Sequence, residues 1–145
     1  MQALFQYAGL VAMIGWLLLA ASLFRAAWRE RLWAMTGIGI PALFAILYTW
    51  LIVRHWGVPG AGFGSIEEVR TLFSNDALLL GGWVHYLAFD LFVGTWIARS
   101  GTKAGVPGLL LLPCLFLTFM FGPAGLLLFL LLRLVYRGAS STAAA

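Results

Sequence analysis

Polar and charged residues gather at a few places along the chain. Between them lie four apolar stretches, at about 3–24, 32–53, 77–98 and 107–132. A helix rises about 1.5 Å per residue and the hydrocarbon layer of a bilayer is about 30 Å thick, so about 20 apolar residues suffice to cross it. The pattern predicts an all-α membrane protein, a four-transmembrane-helix bundle forming one domain over 1–137. The remainder, 138–145, is small and polar and is expected to be a disordered tail. Pro41 interrupts the second stretch, and Pro113 and Pro123 interrupt the fourth.

The longest connection, 54–76, changes character half-way. Its first half is rich in Gly and Pro and predicts a loop. Its second half starts with Ser65, Ile66, Glu67 and Glu68, a capping-box pattern. Ile66, Val69 and Phe73 then share one face, which predicts a short amphipathic helix lying along the interface or over the bundle. Asn75 or Asp76 can cap the helix that follows, because a side-chain oxygen there accepts from free N–H groups. Trp28, Trp33, Trp50, Trp56 and Trp96 fall near stretch ends, as an aromatic belt would place them. Trp16 and Trp83 fall nearer mid-stretch and are expected to face the interior.

Composition sharpens the class. Of 145 residues, 63% are apolar, too many for a soluble domain of this size. The net charge of +4 comes from basic residues at the ends of apolar runs, where they anchor helices, so nucleic-acid binding is not expected. Arg25, Arg29, Arg31, Arg99 and Lys103 fall on one side of a four-span topology, against Arg54, Arg70, Arg133 and Arg137 on the other. That balance leans towards both termini on the non-cytoplasmic side. The first stretch lacks a basic n-region and exceeds a typical signal-peptide core, so it is expected to be a retained first helix. The single cysteine, Cys114, excludes a disulfide framework within the chain.

Two ionisable residues sit deep in the third stretch. Ionised side chains at the bilayer centre are disfavoured by about 2.5–3.5 kcal/mol, so His85 and Asp90 should face the interior, paired or neutral. Their separation places them about 140° apart on an ideal helix, on different faces. Asp76, Trp83 and Asp90 form one stripe, and His85 lies with Gly81 and Phe89. Pro41 and Pro123 should each free a carbonyl four residues back, at Gly37 and Phe119. Such carbonyls are tolerated at membrane depth when another group satisfies them or a cavity lies alongside. Together these features predict one interior site near the midplane, lined by Trp83, His85, Tyr86, Asp90 and Thr118, with Phe89 and Trp16 as further ligand contacts. Polar residues of this kind also hydrogen-bond neighbouring helices simply to fix packing, and that reading stands beside the functional one. Glu67 and Glu68 fit a capped, solvated face, and His55 an interfacial anchor. Motifs of soluble hydrolases, nucleotide-binding loops and zinc sites are absent, and the spacing of His and carboxylate residues gives no positive sign of a metal.

The segments FSNDALLLGGWVHYLAFDLFVGTWI, 73–97, and LPCLFLTFMFGPAGLLLFLLLR, 112–133, separated by a stretch containing Pro107, resemble the abscisic-acid-deficient-four-like membrane proteins. Trp83, His85, Tyr86, Asp90, Gly122 and Pro123 match the pattern. The resemblance implies a small four-helix membrane protein, here of bacterial type and so of an inner membrane. In plants it implies a requirement for converting violaxanthin to neoxanthin, in which an epoxide opens to an allenic alcohol. The expected partner is a lipid-soluble polyene or other isoprenoid. Such an isomerisation delivers a proton to oxygen and removes one from carbon, tasks that Asp90 as acid and His85 as base would divide. It needs no redox cofactor, and none is expected. The alternative is a non-catalytic pigment-binding or assembly protein that uses the same residues to orient a ligand.

Overall fold

A computed structural model describes residues 1–142 of the chain, with side chains to Tyr136. Helix α1 runs over Gln2–Ser22. A 3-10 turn, Ala26–Trp28, leads into α2, Arg29–Ala34, then a π-helical turn, Met35–Gly39, and α3, Ile40–His55. After the loop come α4, Ile66–Phe73, and α5, Asp76–Lys103. The chain finishes in α6, Gly108–Phe121, and α7, Pro123–Thr142. The segments Gln2–Ser22, Ala26–His55 and Asp76–Lys103 are long and apolar enough to cross a membrane. Most of these helices are apolar on every side, as expected when both lipid and neighbouring helices are apolar.

Helix α5 is the axis of the bundle, touched by every other membrane helix. Helix α1 lies parallel to it, with Phe5 opposite Trp83 at a ring separation of 5.6 Å and Gly15 against Leu91 further along. Ala8, Ala12, Gly15, Trp16, Leu19 and Ser22 make the buried stripe of α1, and its small residues allow the close approach. Helix α3 is antiparallel to α5: Gly37 meets Thr95, Tyr48 meets His85 and Ile52 meets Gly81.

Local polar pairs set the joints. At the α1–α2 turn, the Trp33 indole donates to Ser22 Oγ at 3.0 Å, and Ser22 donates to the Leu19 carbonyl at 2.6 Å. Arg29 donates to the carbonyls of Ser22 and Leu23 at 3.2 and 3.3 Å, satisfying groups that the end of α1 leaves free. Trp33 is therefore 3% exposed rather than part of an outer belt, because its N–H has a partner inside. Before Pro41, the chain widens into the π-helical turn, with the Ile40 N–H reaching back to Met35 O. Thr36 in this turn accepts from Thr95 Oγ1 at 2.8 Å, a buried bridge between the second crossing segment and α5.

The linker follows its sequence closely. Ser65 Oγ accepts from the Glu68 N–H at 3.2 Å, and Glu68 in turn accepts from the Gly64 N–H at 2.8 Å. Asn75, not Asp76, caps α5, accepting from the N–H groups of Ala77 and Leu78 at 3.0 and 3.3 Å. Phe73 at the end of α4 lies over Gly82.

The fourth apolar stretch is not one span. Helix α6 passes Pro113 unbroken and ends at Gly122, whose φ of +43° lies in the left-handed region that glycine enters freely. Pro123 then starts α7, where its missing N–H is no loss. Helix α7 folds back along α6: Gly125 packs directly on Thr118 and Cys114, and a methyl group there would collide with the Thr118 amide and the Cys114 carbonyl. Gly122 lies beside Asp90, and Phe129 lies 5.5 Å from Trp96, ring to ring, so α7 runs parallel to α5. The stretch is a helical hairpin with its tip near mid-depth in place of a fourth transmembrane helix. Its α6 arm, Gly108–Phe121, and the apolar part of its α7 arm, Pro123–Tyr136, fall short of a full crossing. The reversal also carries the end of α7 to the opposite end of the bundle from Met1, rather than to the same side. The tail expected at 138–145 falls partly on 143–145, outside the described residues, and α7 continues to Thr142.

The hairpin depends on the absence of a side chain at position 125. Gly125→Leu should destabilise the protein by about 1–3 kcal/mol, the usual penalty for overpacking. Gly9→Leu, where a side chain meets open space, should change little. Thermal unfolding of the two variants in the same detergent or vesicle checks this.

Candidate functional site

The midpoint of α5 meets the hairpin tip, and Asp90 is the residue at the meeting point. The Asp90 carboxylate stands 2.9 and 3.1 Å from where a methyl group on Gly122 would be. Its Oδ2 is buried and has no hydrogen-bond partner among the described residues. One turn earlier, Tyr86 lies beside the same carboxyl group. The Tyr86 hydroxyl donates to the Phe119 carbonyl at 3.1 Å. Phe119 is the residue whose carbonyl Pro123 was expected to free. The carbonyl is satisfied, from α5, and the bond pins the last turn of α6 to the axis of the bundle.

Aromatic side chains surround this point. Trp83 stacks near Tyr86 at 5.3 Å and near Phe5 at 5.6 Å. Trp16, buried in α1, meets Phe119 edge-on at 5.6 Å. Because the hairpin ends at the level of Asp90, it covers only the second half of α5. On the same side, the first half carries Leu79 and Trp83, which are 52% and 41% exposed. Trp83 was expected inside; it is open because no helix reaches that far. With Met1, Gln2, Phe5 and Asp76 it lines a recess of about 390 Å³.

His85 is elsewhere. Expected inside, it is instead an exposed residue on the opposite side of α5, where no other helix covers its ring, 4.5 Å from Phe89 and 5.7 Å from Tyr48. These residues, with Pro41, line a separate apolar cavity of about 610 Å³ between α3 and α5. The single interior site expected from the sequence is therefore two sites. Asp90, Tyr86, Trp83 and Trp16 come together with Gly122 and Pro123; His85, Phe89 and Pro41 belong to the other. The angular separation of His85 and Asp90 already pointed this way, and helix α5 carries no break at Gly81 and Gly82 to undo it. Thr118 is fully buried between the arms of the hairpin, donating to the Cys114 carbonyl at 2.8 Å, and faces neither site. Sequence reasoning missed Thr36 and Thr95, whose only signal was two hydroxyl residues inside apolar runs. Among the described residues no three His, Cys, Asp or Glu side chains cluster as metal ligands.

A family model described as ABA DEFICIENT 4-like matches residues 3–129. The chain belongs to the ABA DEFICIENT 4-like family. The match takes in the crossing segments, the linker helix and the hairpin tip, including Asp90, Gly122 and Pro123. No curated protein and no solved structure matches the chain. Membership makes this a membrane protein related to neoxanthin synthesis.

Asp90 supports the packing less than its depth suggests. Its Oδ2 has no partner and its one polar neighbour, Tyr86, keeps the Phe119 carbonyl as acceptor when Asp90 is replaced, so Asp90→Leu should leave thermal stability within about 1 kcal/mol of wild type. Tyr86→Phe, which breaks the bond to Phe119, should lower stability by about 1 kcal/mol. Unfolding temperatures of both variants in vesicles test the contrast.

Proposed function

We propose that the chain takes an oxygen-bearing isoprenoid, of the epoxy-carotenoid type, from the bilayer and isomerises it at Asp90. The observation that carries this reading is the buried Asp90 Oδ2 without a hydrogen-bond partner at the hairpin tip. A carboxyl group half-way across a membrane is retained against its insertion penalty when it does something, and an unsatisfied oxygen is free to engage a ligand. Around it, Trp83, Phe5 and Tyr86 offer flat apolar contact for a polyene, and the short hairpin leaves the approach open to lipid.

The chemistry balances without an added reagent. The neutral Asp90 carboxyl gives its proton to the epoxide oxygen as the C–O bond breaks. The carboxylate left behind takes a proton from the neighbouring carbon, whose electron pair forms the new double bond. The oxygen stays bound to its other carbon as a hydroxyl group, the acid is regenerated, and the product is an isomer of the substrate. In this scheme Asp90 serves as acid and then as base, and His85, on the other face, takes no part in it.

The same reading orients the protein. With the hairpin folded back, Arg25, Arg29, Arg31, Arg99, Lys103, Arg133 and Arg137 belong to one end of the bundle and only Arg54 and Arg70 to the other. An excess of Lys and Arg marks the cytoplasmic side. We therefore place the N-terminus and the loop 56–65 outside, and the C-terminal end of α7 in the cytoplasm of a bacterial-type inner membrane.

Expression in bacteria that make epoxy-xanthophylls should yield a new pigment of unchanged mass. The pigment should be lost in Asp90→Asn and kept, at no less than about a third of wild type, in His85→Ala. Unchanged pigment that copurifies with the protein would instead make it a carrier. Orientation is checked separately. Phe63→Cys should react with an impermeant maleimide in intact cells, while Ala27→Cys should react only after permeabilisation, in a background where Cys114 is buried.

A further inference from the structure

The trough on the far side of α5 is unused by this chemistry. Its upper part is the cavity of about 610 Å³ lined by Pro41, Ala42, Ala45, Tyr48, His85 and Phe89. Its lower part, about 390 Å³, is lined by Trp33, Thr95, Trp96, Arg99, Ser100 and Lys103. Gly37, Ile38 and Phe92 line both, so the two form one continuous channel along the α3–α5 seam. Gly37, Ala42 and Ala45 carry little or no side chain, which leaves the seam between α3 and α5 hollow and creates the depth. The Thr36–Thr95 bridge, at 2.8 Å, holds that spacing fixed from behind.

We propose that this trough holds one chain of an acidic phospholipid from the basic-end leaflet, with its phosphate on Arg99 and Lys103. Length fits: from Arg99 to His85 is 14 residues of helix, about 21 Å, against about 15 Å for half of a 30 Å hydrocarbon layer. A chain anchored at Arg99 therefore stays in the trough to the midplane. Polarity fits too: the upper part is apolar apart from Tyr48 and His85, and the cationic side chains stand only at the far end, with Trp33 and Trp96 beside them. Lys103 has no ion pair among the described residues, and Arg99, over the Trp33 ring at 5.6 Å, has only an exposed, long contact with Glu30 at 3.8 Å that a phosphate can replace. Acidic headgroups are concentrated in the cytoplasmic leaflet, the side to which the basic end is assigned above. The proposal uses that orientation but not the reaction at Asp90.

Native mass spectrometry of the intact protein, taken from vesicles of equal phosphatidylglycerol and phosphatidylcholine, tests it. One phosphatidylglycerol should stay bound, at about tenfold or more over phosphatidylcholine. Arg99→Gln with Lys103→Gln should abolish the preference, and Ala42→Trp, which fills the trough away from the charges, should lower retention of both lipids. Arg54→Gln, at the other end, should change neither. Equal retention of the two lipids by the wild type overturns the proposal, as does an undiminished preference in the Arg99/Lys103 double variant. Displacement of the lipid by inorganic phosphate alone would show a soluble-anion site and overturn it as well. If Ala42→Trp fails to fold, the double variant decides. Loss of pigment chemistry with lipid retention intact would fault the Asp90 reading only.

Discussion

The reversal of the chain at Gly122 and Pro123 governs this molecule. Inside a bilayer there is no water to satisfy a broken helix, so a turn at mid-depth survives only where protein answers its free groups. Here Tyr86 answers the Phe119 carbonyl, and Gly125 lets the two arms touch backbone to backbone. From the reversal follow the depth of Asp90 beside the tip, the open side of the first half of α5 at Leu79 and Trp83, and the return of α7 to the basic end. The same sequence with an ordinary residue at 122 would lose the left-handed conformation and press a side chain into the Asp90 carboxyl group.

Much of the architecture was legible in the residues. Lengths of apolar run gave four crossing segments, of which three stand, Ser65 and the Asn75-Asp76 pair gave two helix starts, and the spacing of Ile66, Val69 and Phe73 gave the surface helix. The hairpin was not legible, because hydropathy reports whether a segment prefers lipid and not which way it runs. Gly122-Pro123 is compatible with a kink or a complete turn. What decides between them is the contact of Gly125 with Thr118 seven residues earlier, a tertiary fact. The charge count was misled by the same error, since Arg133 and Arg137 were assigned to the wrong end.

The site was half legible. Periodicity separated His85 from Asp90 correctly, yet the assumption that both ionisable groups face one interior drew them into one pocket, whereas His85 lies on an exposed face. Helix α5 instead serves two faces with different chemistry: a carboxyl group against a broken helix on one, an imidazole beside aromatic rings and a cationic mouth on the other. Trp83 and Trp33 exchanged their expected places for local reasons. No helix extends far enough to cover the first, and a buried hydroxyl attracts the second.

The incomplete depth of the hairpin has an effect on the membrane around it. In the half of the bilayer nearer the basic end, five helical rods stand side by side: α1, the α2–α3 segment, α5, α6 and α7. In the other half only three remain, with the short α4 beside α5. The protein is thus a wedge, broad in one monolayer and narrow in the other. Lipid must fill the missing volume or the sheet must thin and bend towards it, so the bilayer's own elasticity becomes part of the energy that decides where this molecule is comfortable.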